Sequence, residues 1–316
     1  MSAAFRRLGG SPGTLLAAAT FVGIAGPMVA LSSTADVLGA LSTAGKIDVL
    51  AYTLRRGPVF DGLEAAARRG AHVRVRLEGL PYGDPSGSFA RENREIVEAL
   101  ARAGVRAELA RTGPGGADKA PVHAKAIVAD ARVFLDDRNW GPEDLVVCDR
   151  DPADVAAVRG AMDGGVRAGG SPSFALEKRA ALAREAELLS SASPDADVVV
   201  ESESFGSGNP VYGALDALGK SGVNPRLLVS SRDANVRERR ALARLARDGV
   251  RVRITRDTEK FAVVDARAWV GSANASPAFA HPDMIDWGLC TQDPAIVAAA
   301  RDRAETRWNA AKPFRP

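Results

Sequence analysis

The chain carries one 17-residue pattern twice, over residues 123–139 and 258–274. Each copy has a lysine at its third position, an aspartate at its eighth and an asparagine at its last. These residues are Lys125, Asp130 and Asn139 in the first copy and Lys260, Asp265 and Asn274 in the second. The copies differ at their first position, which is His123 in one and Thr258 in the other. A duplicated pattern predicts two halves of one topology, paired like an isologous dimer fused into a single chain.

Hydrophobic periodicity around the two copies predicts alternating strands and helices. In the first half, strands are predicted over 28–33, 47–52, 73–77, 105–109, 126–129 and 133–135, and helices over 35–45, 59–69 and 92–103. In the second half, strands are predicted over 198–202, 226–230 and 250–254, and helices over 211–220 and 237–247. With 198–202 taken as the counterpart of 28–33, the second half lacks one helix–strand unit. The expected fold is α/β, with two pseudo-symmetric halves that each contain a mixed or mostly parallel sheet flanked by helices.

The predicted organisation has four segments. An N-terminal segment spans 1–27, the first half 28–150, a helical linker 151–195 and the second half 196–316. Residues 14–31 carry no charge, but Pro27 and several glycines argue against a stable transmembrane helix there. The segment is either a signal peptide cleaved near Ala25 or a buried lead-in to the core. No clear small-x-small cleavage site stands out, which favours the buried lead-in and a cytoplasmic location over export.

Composition is that of an ordinary globular protein, with 46% apolar and 26% charged residues. The formal net charge of +3 gives no large basic footprint, so it neither requires nor excludes a nucleic-acid partner. The two cysteines, Cys148 and Cys290, occupy matching places in the two halves. We expect two buried free thiols on equivalent strands, although an approach across the pseudo-two-fold axis would allow them to pair.

The motif residues combine groups that suit phosphate chemistry. His123 and Lys125 lie two residues apart, which puts their side chains on the same face of a strand. Asn139 follows the next predicted strand and can return to the same edge. An imidazole can attack phosphorus or transfer a proton, while an ammonium and an amide can stabilise the non-bridging oxygens.

The pattern resembles the signature of the phospholipase D superfamily, in which His-x-Lys-x(4)-Asp is followed by Gly-Ser-x-Asn. The second copy, with Lys260, Asp265, Gly271, Ser272 and Asn274, is similar to the downstream part of that signature, and the resemblance extends over roughly residues 28–310. The superfamily includes phospholipases, phosphatidyltransferases and nucleases. The resemblance implies catalysis through a phosphohistidine, with no metal and no cofactor.

Carried over to this chain, the resemblance makes His123 the nucleophile. It assigns phosphate binding to Lys125, Lys260, Asn139, Asn274 and Ser272, and it gives Asp130 and Asp265 structural roles at turns. Family members also have an acidic residue that orients the histidine, and Asp144 fits that place in the first half. Asp286 fits it in the second half, where Thr258 would leave it no histidine to orient.

Two departures from the family pattern bear on activity. Thr258 cannot shuttle protons near neutral pH, so general acid catalysis is lost or relocated. Glu203, Glu259, Asp286 or a carboxyl of the 136–137 pair could have taken it over, and His281 could reach the vacated position. In addition, Asp136 and Asp137 stand where the family has Gly-Ser. Two carboxylates beside a phosphate pocket would repel substrate unless they pair with Arg138 or point away.

The sequence therefore favours a phospholipase D-like phosphodiesterase or phosphatidyltransferase that acts through His123. The alternatives are a non-catalytic phosphate-, phospholipid- or nucleic-acid-binding pseudoenzyme of the same fold, and a nuclease. A phospholipid is favoured over nucleic acid as substrate, a membrane surface is a candidate partner, and we expect a monomer with an internal pseudo-dimer. The test of this interpretation is whether Lys260 and Asn274 converge on His123.

Overall fold

A computed structural model describes residues 28–81, 84–110, 120–164, 169–230, 236–276 and 284–315. Two mixed β-sheets flanked by helices make up this part of the chain, which confirms the predicted α/β fold of two similar halves. The predicted N-terminal segment, 1–27, lies outside the described residues. Among the helices that the structure describes, none combines the length and apolar character needed to cross a membrane.

The first sheet has the strand order β1-β7-β6-β5-β2-β3-β4. Its strands are β1 (Val29–Ser32), β2 (Lys46–Ala51), β3 (His72–Glu78), β4 (Arg106–Ala110), β5 (Lys125–Ala129), β6 (Arg132–Asp136) and β7 (Val146–Asp149). The accompanying helices are α1 (Thr34–Thr43), α2 (Pro58–Arg68), α3 (Ser88–Arg102) and α4 (Pro152–Ala161). Strands β2, β3 and β4 run parallel, and the motif strand β5 pairs antiparallel with β2.

The second sheet has the order β8-β14-β13-β12-β9-β10-β11-β15. Its strands are β8 (Phe174–Ala175), β9 (Val198–Ser202), β10 (Arg226–Ser230), β11 (Arg251–Thr255), β12 (Phe261–Val264), β13 (Arg267–Gly271), β14 (Gly288–Thr291) and β15 (Lys312–Pro313). The helices of this half are α5 (Lys178–Ser190), α6 (Pro210–Ser221), α7 (Val236–Arg247) and α8 (Pro294–Ala310).

The two strand orders coincide when β8 is matched to β1 and β9 to β2, with β15 as an addition. The strand over 198–202 was expected to be the counterpart of the first strand, but it corresponds to β2 instead. With β8 as the counterpart of β1, the second half does not lack a helix–strand unit. The expected linker, 151–195, contains α4, which contacts β5 and β6, and β8 and α5, which contact β14. A second repeat in the sequence agrees with this frame, because Cys-x-x-Asp-Pro-Ala-x-Val-Ala-Ala occurs at 148–157 and again at 290–299.

An apolar cluster shared by both halves fills the space between the sheets. It includes Val128 and Leu135 of the first sheet, Val263 and Val270 of the second, and Trp287, all with no solvent exposure. Helices α4 and α8 contribute further side chains to the same cluster. Because this cluster belongs to neither half alone, burial of its apolar surface holds the motif strands in a fixed relation to each other.

The cysteines are free thiols on equivalent strands, β7 and β14. Cys148 is buried in the core of the first half, and Cys290 packs against the core of the second. Burial raises the pKa of both thiols, that of Cys290 to about 11. Neither thiol therefore has the thiolate character of a reactive cysteine near neutral pH.

The motif aspartates lie at the turns of the β-hairpins that carry the motif. Asp130 and Asp265 have φ values of 49° and 48°, in the left-handed region that asparagine and aspartate tolerate best after glycine. An Oδ1 atom of Asp130 accepts from the backbone N of Lys46 at 3.0 Å, and that of Asp265 accepts from Asp197 N at 3.1 Å. Each aspartate thus joins a motif hairpin to the start of the neighbouring strand.

This geometry predicts different outcomes for two substitutions at one turn. Asp265→Asn keeps both an acceptor oxygen and tolerance of positive φ, so we expect a free energy of unfolding within about 0.5 kcal/mol of wild type. Asp265→Ala loses both, and we expect a loss of about 1–3 kcal/mol. Urea unfolding followed by circular dichroism measures both variants. Equal stability of the two would contradict a structural role for this side chain.

Candidate active site at the junction of the halves

The chain segment that leads into β5 crosses to the second half. Val122 forms a parallel bridge with Ile285, Ala124 N donates to Ile285 O at 2.7 Å, and Ile285 N donates to Pro121 O at 2.8 Å. This short ladder lies between the start of the first motif and the residues that follow the second. It brings His123 beside Asp286, although 163 positions separate them in sequence.

His123 is oriented by the other half of the molecule. Its Nδ1 lies 2.7 Å from Oδ1 of Asp286. The same oxygen accepts from Ser272 Oγ at 2.8 Å, and that hydroxyl in turn accepts from Trp287 N at 2.9 Å. A carboxylate at Nδ1 holds the proton there and leaves the Nε2 lone pair for chemistry. The expectations that Asp144 orients His123, and that Asp286 has no histidine, are therefore both corrected.

Nε2 of His123 faces the ammonium of Lys125 at 3.4 Å. Burial lowers the pKa of His123, as does Lys125, and together they outweigh the opposing effect of Asp286. The imidazole is therefore neutral at pH 7. About 14% of its side-chain surface is exposed, so a ligand can reach the ring from solvent. The edge of the Tyr52 ring packs against it, with the ring centroids 4.8 Å apart.

Both motif lysines are buried, with 2% exposure each. Burial and the nearby charge of Lys260 together lower the pKa of Lys125 to about 8. Burial also lowers the pKa of Lys260, but Glu203 and Asp137 outweigh this effect and the net pKa is raised. Lys260 Nζ lies 3.0 Å from Glu203 Oε2 and donates to Thr258 O at 2.7 Å. The two lysines thus lie within mutual electrostatic range of each other and of His123.

The motif asparagines are held by equivalent contacts. Oδ1 of Asn139 accepts from Thr53 Oγ1 at 3.0 Å, and Oδ1 of Asn274 accepts from Ser204 N at 3.3 Å. Thr53 and Ser204 follow the equivalent strands β2 and β9, which pair with the motif strands. Within the described ranges, neither amide nitrogen has a hydrogen-bond partner, so both remain as donors for an anion.

The second half-site, formed by the counterparts of His123 and Asp286, contains different side chains. Arg138 Nε lies 2.8 Å from Asp144 Oδ1, and the other guanidinium nitrogens lie 3.2 Å from Asp257 and 3.3 Å from Glu259. Asp144 also accepts from Gly141 N at 2.6 Å. An arginine therefore takes the carboxylate that was expected to orient a histidine.

Glu259 was one of the sequence candidates for proton transfer. It is fully buried among arginines. Besides Arg138 it contacts Arg303 at 2.5 Å and also pairs with Arg307. In this position Glu259 serves as the common anion of an ion-pair cluster.

The carboxyl groups of Asp136 and Asp137 are turned toward the backbone. Asp136 accepts from the backbone N of Arg138 at 2.9 Å and from that of Trp140, and Asp137 accepts from Leu145 N at 3.0 Å. Burial and the charge of Glu259 together raise the pKa of Asp137 to about 7. Asp137 corresponds to Ser272, which accepts from Trp287 N in the same way. The carboxyl groups of Asp136 and Asp137 are thus engaged by backbone N–H donors, while their charges still act on the motif lysines.

His281 lies in 277–283, outside the described residues. Among the residues that are described, no group of three or more His, Cys, Asp or Glu side chains could hold a metal ion. Tyr52, which packs on His123, was not predicted from the sequence because the shifted strand frame hid its equivalence with Glu203.

Replacing Asp137 with serine, the residue found at the equivalent position 272, should stabilise the protein in a pH-dependent way. The folded-state pKa of Asp137 is about 7 and its unfolded value is about 3.9, so only the folded protein holds this proton between those values. Stability therefore falls as pH rises from about 4 to about 7. Asp137→Ser keeps an acceptor for Leu145 N and removes this penalty. We expect it to gain about 1–3 kcal/mol over wild type at pH 8 and less at pH 5.

Urea unfolding of both proteins at the two pH values measures this gain. The exposed residue Asp61 provides the matched control, because Asp61→Ser removes a carboxylate outside this cluster. A gain that is the same at pH 5 and pH 8 would contradict the assignment of the penalty to Asp137.

Comparisons with known proteins rest on structure alone, since no family model and no curated protein matches the sequence. Polyphosphate kinase from Porphyromonas gingivalis is similar with a TM-score of 0.64 at 16% identity, over 89% of this chain and 47% of that chain. This chain thus spans about half the length of that kinase. Phosphatidylserine synthase from Haemophilus influenzae Rd KW20 has a TM-score of 0.61 at 11% identity, over 91% of this chain and 87% of its own.

Nuc, a phospholipase D family member from Salmonella typhimurium, matches 46% of this chain over 100% of its own, with a TM-score of 0.40 at 20% identity. All of these identities are low, so the similarity concerns the fold. Together with the matching strand orders of the two sheets, the two longer similarities show that the chain shares the fold of these two proteins, with two similar α/β halves.

Proposed function

We propose that the protein cleaves or transfers a phosphodiester through His123 as the nucleophile. The observation that carries this proposal is the geometry of the imidazole. Its Nδ1 is held by Asp286 at 2.7 Å, and its Nε2 faces the buried lysine Lys125 at 3.4 Å. A neutral imidazole of fixed tautomer beside cations suits attack on an anionic phosphorus centre.

In the proposed first step, His123 Nε2 attacks phosphorus and the bond to the leaving oxygen breaks. Asp286 stabilises the positive charge that develops on the ring, in the way a buried carboxylate supports a catalytic histidine. Lys125, Lys260 and the amide donors of Asn139 and Asn274 stabilise the non-bridging oxygens. In the second step, water or an alcohol attacks the phosphohistidine and the P–N bond breaks. Water gives a phosphodiesterase, and an alcohol gives a transferase.

We favour a phospholipid as the substrate, at a membrane surface. The support is the fold similarity to a phosphatidylserine synthase, which extends over most of both chains. The modest net charge of +3 agrees with this choice, because nucleic-acid backbones are bound mainly through clustered basic residues. A nuclease is the alternative within the same chemistry, and a panel of lipid and nucleic-acid substrates separates the two.

A phosphate-binding protein without turnover is the second candidate function. Its support is the second half-site, where Thr258 supplies no imidazole and Arg138 engages Asp144. This candidate predicts stabilisation by phosphate esters, no product, and no acid-labile phosphate on His123.

The nucleophile is tested with bis(4-nitrophenyl) phosphate, whose leaving group needs little protonation. His123→Ala removes the attacking nitrogen, and we expect turnover to fall to background. Asp286→Asn removes the charge that orients and supports the ring, and we expect a loss of about 10²–10⁴-fold in kcat/KM. Nitrophenol release measures the rates, and mass spectrometry of a rapidly quenched sample detects the phosphohistidine.

His72 is the matched control for these variants, because it is an exposed histidine on the same half. His72→Ala should keep the wild-type rate. An His123→Ala variant with the wild-type rate would refute the proposal, and a wild-type protein that binds phosphate esters without turnover would favour the binding function.

The pKa of Lys125, about 8, predicts the alkaline limb of the pH profile. Lysine binds phosphate only when protonated, so kcat/KM should fall as pH rises through about 8, since this parameter reports the free enzyme. Because the pKa of His123 is lowered, the acid limb should lie below the ordinary histidine value of about 6.5. Lys125→Arg keeps its charge at high pH and should abolish the alkaline limb. The same limb in both proteins would contradict this assignment.

A further inference from the structure

We propose that Glu203 performs the proton transfer that Thr258 cannot, as general acid and then general base opposite His123. This inference rests on the proposed function and assigns a catalytic role to a residue outside the duplicated motif. The first support is a structural equivalence. Ala51 pairs with Lys125 between β2 and β5, and Glu201 pairs with Phe261 between β9 and β12. In this antiparallel register, the residue after Glu201 lies opposite Lys260, just as Ala51 lies opposite Lys125. Tyr52 and Glu203 each follow one of these residues, so they occupy equivalent positions next to a motif lysine.

The second support is the position of Glu203 relative to the vacated histidine site. Tyr52 packs edge-on against the ring of His123 in the first half. The equivalent neighbour of Glu203 is residue 258, where the chain has threonine in place of histidine. Lys260 joins the two, because its Nζ lies 3.0 Å from Glu203 Oε2 and 2.7 Å from Thr258 O. A carboxyl group thus stands beside the place of the missing imidazole.

The third support is that the competing carboxylates are engaged elsewhere. Asp286 holds His123 and Ser272, Glu259 is shared by three arginines, and Asp137 accepts from a backbone N–H. Glu203 has 27% of its side chain exposed and is ion-paired with Lys260. It is therefore partly accessible from solvent and can exchange its partner when an anion binds.

Glu203 must be protonated to act as a general acid, and substrate binding can cause it to take up that proton. Burial raises the pKa of Glu203, but Lys260, Lys125 and His123 lower it to about 2 in the free protein. A bound phosphodiester anion between the same cations opposes their effect, which raises the pKa of Glu203. Binding should therefore be accompanied by proton uptake, which leaves a neutral carboxyl group opposite the nucleophile.

The proposed reaction then proceeds in two steps. As His123 Nε2 forms the P–N bond, the P–O bond breaks, its electron pair stays on the leaving oxygen, and that oxygen takes the proton of Glu203. In the second step, Glu203 takes a proton from water or an alcohol as its oxygen attacks phosphorus. The P–N bond breaks and its electron pair returns to His123.

The test uses methyl aryl phosphates whose leaving groups range from 4-nitrophenol to phenol. Glu203→Gln cannot protonate the leaving oxygen, so its rate should fall by about 10²–10⁴-fold on the phenyl ester and by less than about 10-fold on the nitrophenyl ester. Glu203→Asp retains a carboxyl group and should recover part of the phenyl-ester rate. An equal loss across the series would show that Glu203 only balances the charge of Lys260 and would overturn the proposal, as would no loss at all.

Calorimetric titration with a phosphonate monoester, in two buffers of different ionisation enthalpy, tests proton uptake in the unmodified protein. We expect uptake approaching one proton per site in wild type and little in Glu203→Gln; no uptake in wild type would overturn the proposal. Glu187→Gln, at an exposed position on α5, is the matched control and should behave like wild type. Failure of the function itself looks different, because wild type would then turn over neither ester, whereas failure of this inference leaves the His123-dependent reaction intact.

Discussion

The contact between His123 and Asp286 joins the two halves of the molecule, and the rest of the site depends on it. Burial of both groups disfavours their charged forms, so each needs the other as a partner. The inter-sheet core and the ladder between Pro121–Ala124 and Ile285 hold the two at 2.7 Å. Because the imidazole comes from one half and its carboxylate from the other, the half that has no motif histidine still completes the site.

The same pseudo-symmetry explains why the two half-sites differ. With threonine at residue 258, a carboxylate at position 144 has no imidazole to hold, and the guanidinium of Arg138 fills that role. Asp257, Glu259, Arg303 and Arg307 extend the contact into an ion-pair cluster. The paired charges engage this side of the site, so the proposed reaction uses His123, the lysines and Glu203.

Much of this arrangement could be predicted from local patterns. The motif strands of the first half, predicted over 126–129 and 133–135, lie within one residue of β5 and β6, and the side-chain period of two predicted His123 and Lys125 on one face. The family resemblance implied structural roles at turns for Asp130 and Asp265, and both lie at turns with positive φ. The pairing of Asp286 with His123 did not follow, because a contact across 163 positions has no local signature. The strand frame was shifted by one unit because similar Val-Arg-Val-Arg strands occupy different places in the two sheets.

The sequence by itself determined the duplication, the α/β class and the identity of the groups that can act on a phosphate. Each follows from residue type and short-range spacing, which dihedral preferences and side-chain periodicity translate directly into structure. Only the tertiary structure decided which carboxylate serves which base. It turned Asp136 and Asp137 to the backbone, engaged Asp144 with Arg138, and set Glu203 beside Lys260. Those choices depend on burial, because a charge removed from water must take the partner that the folded chain brings within reach.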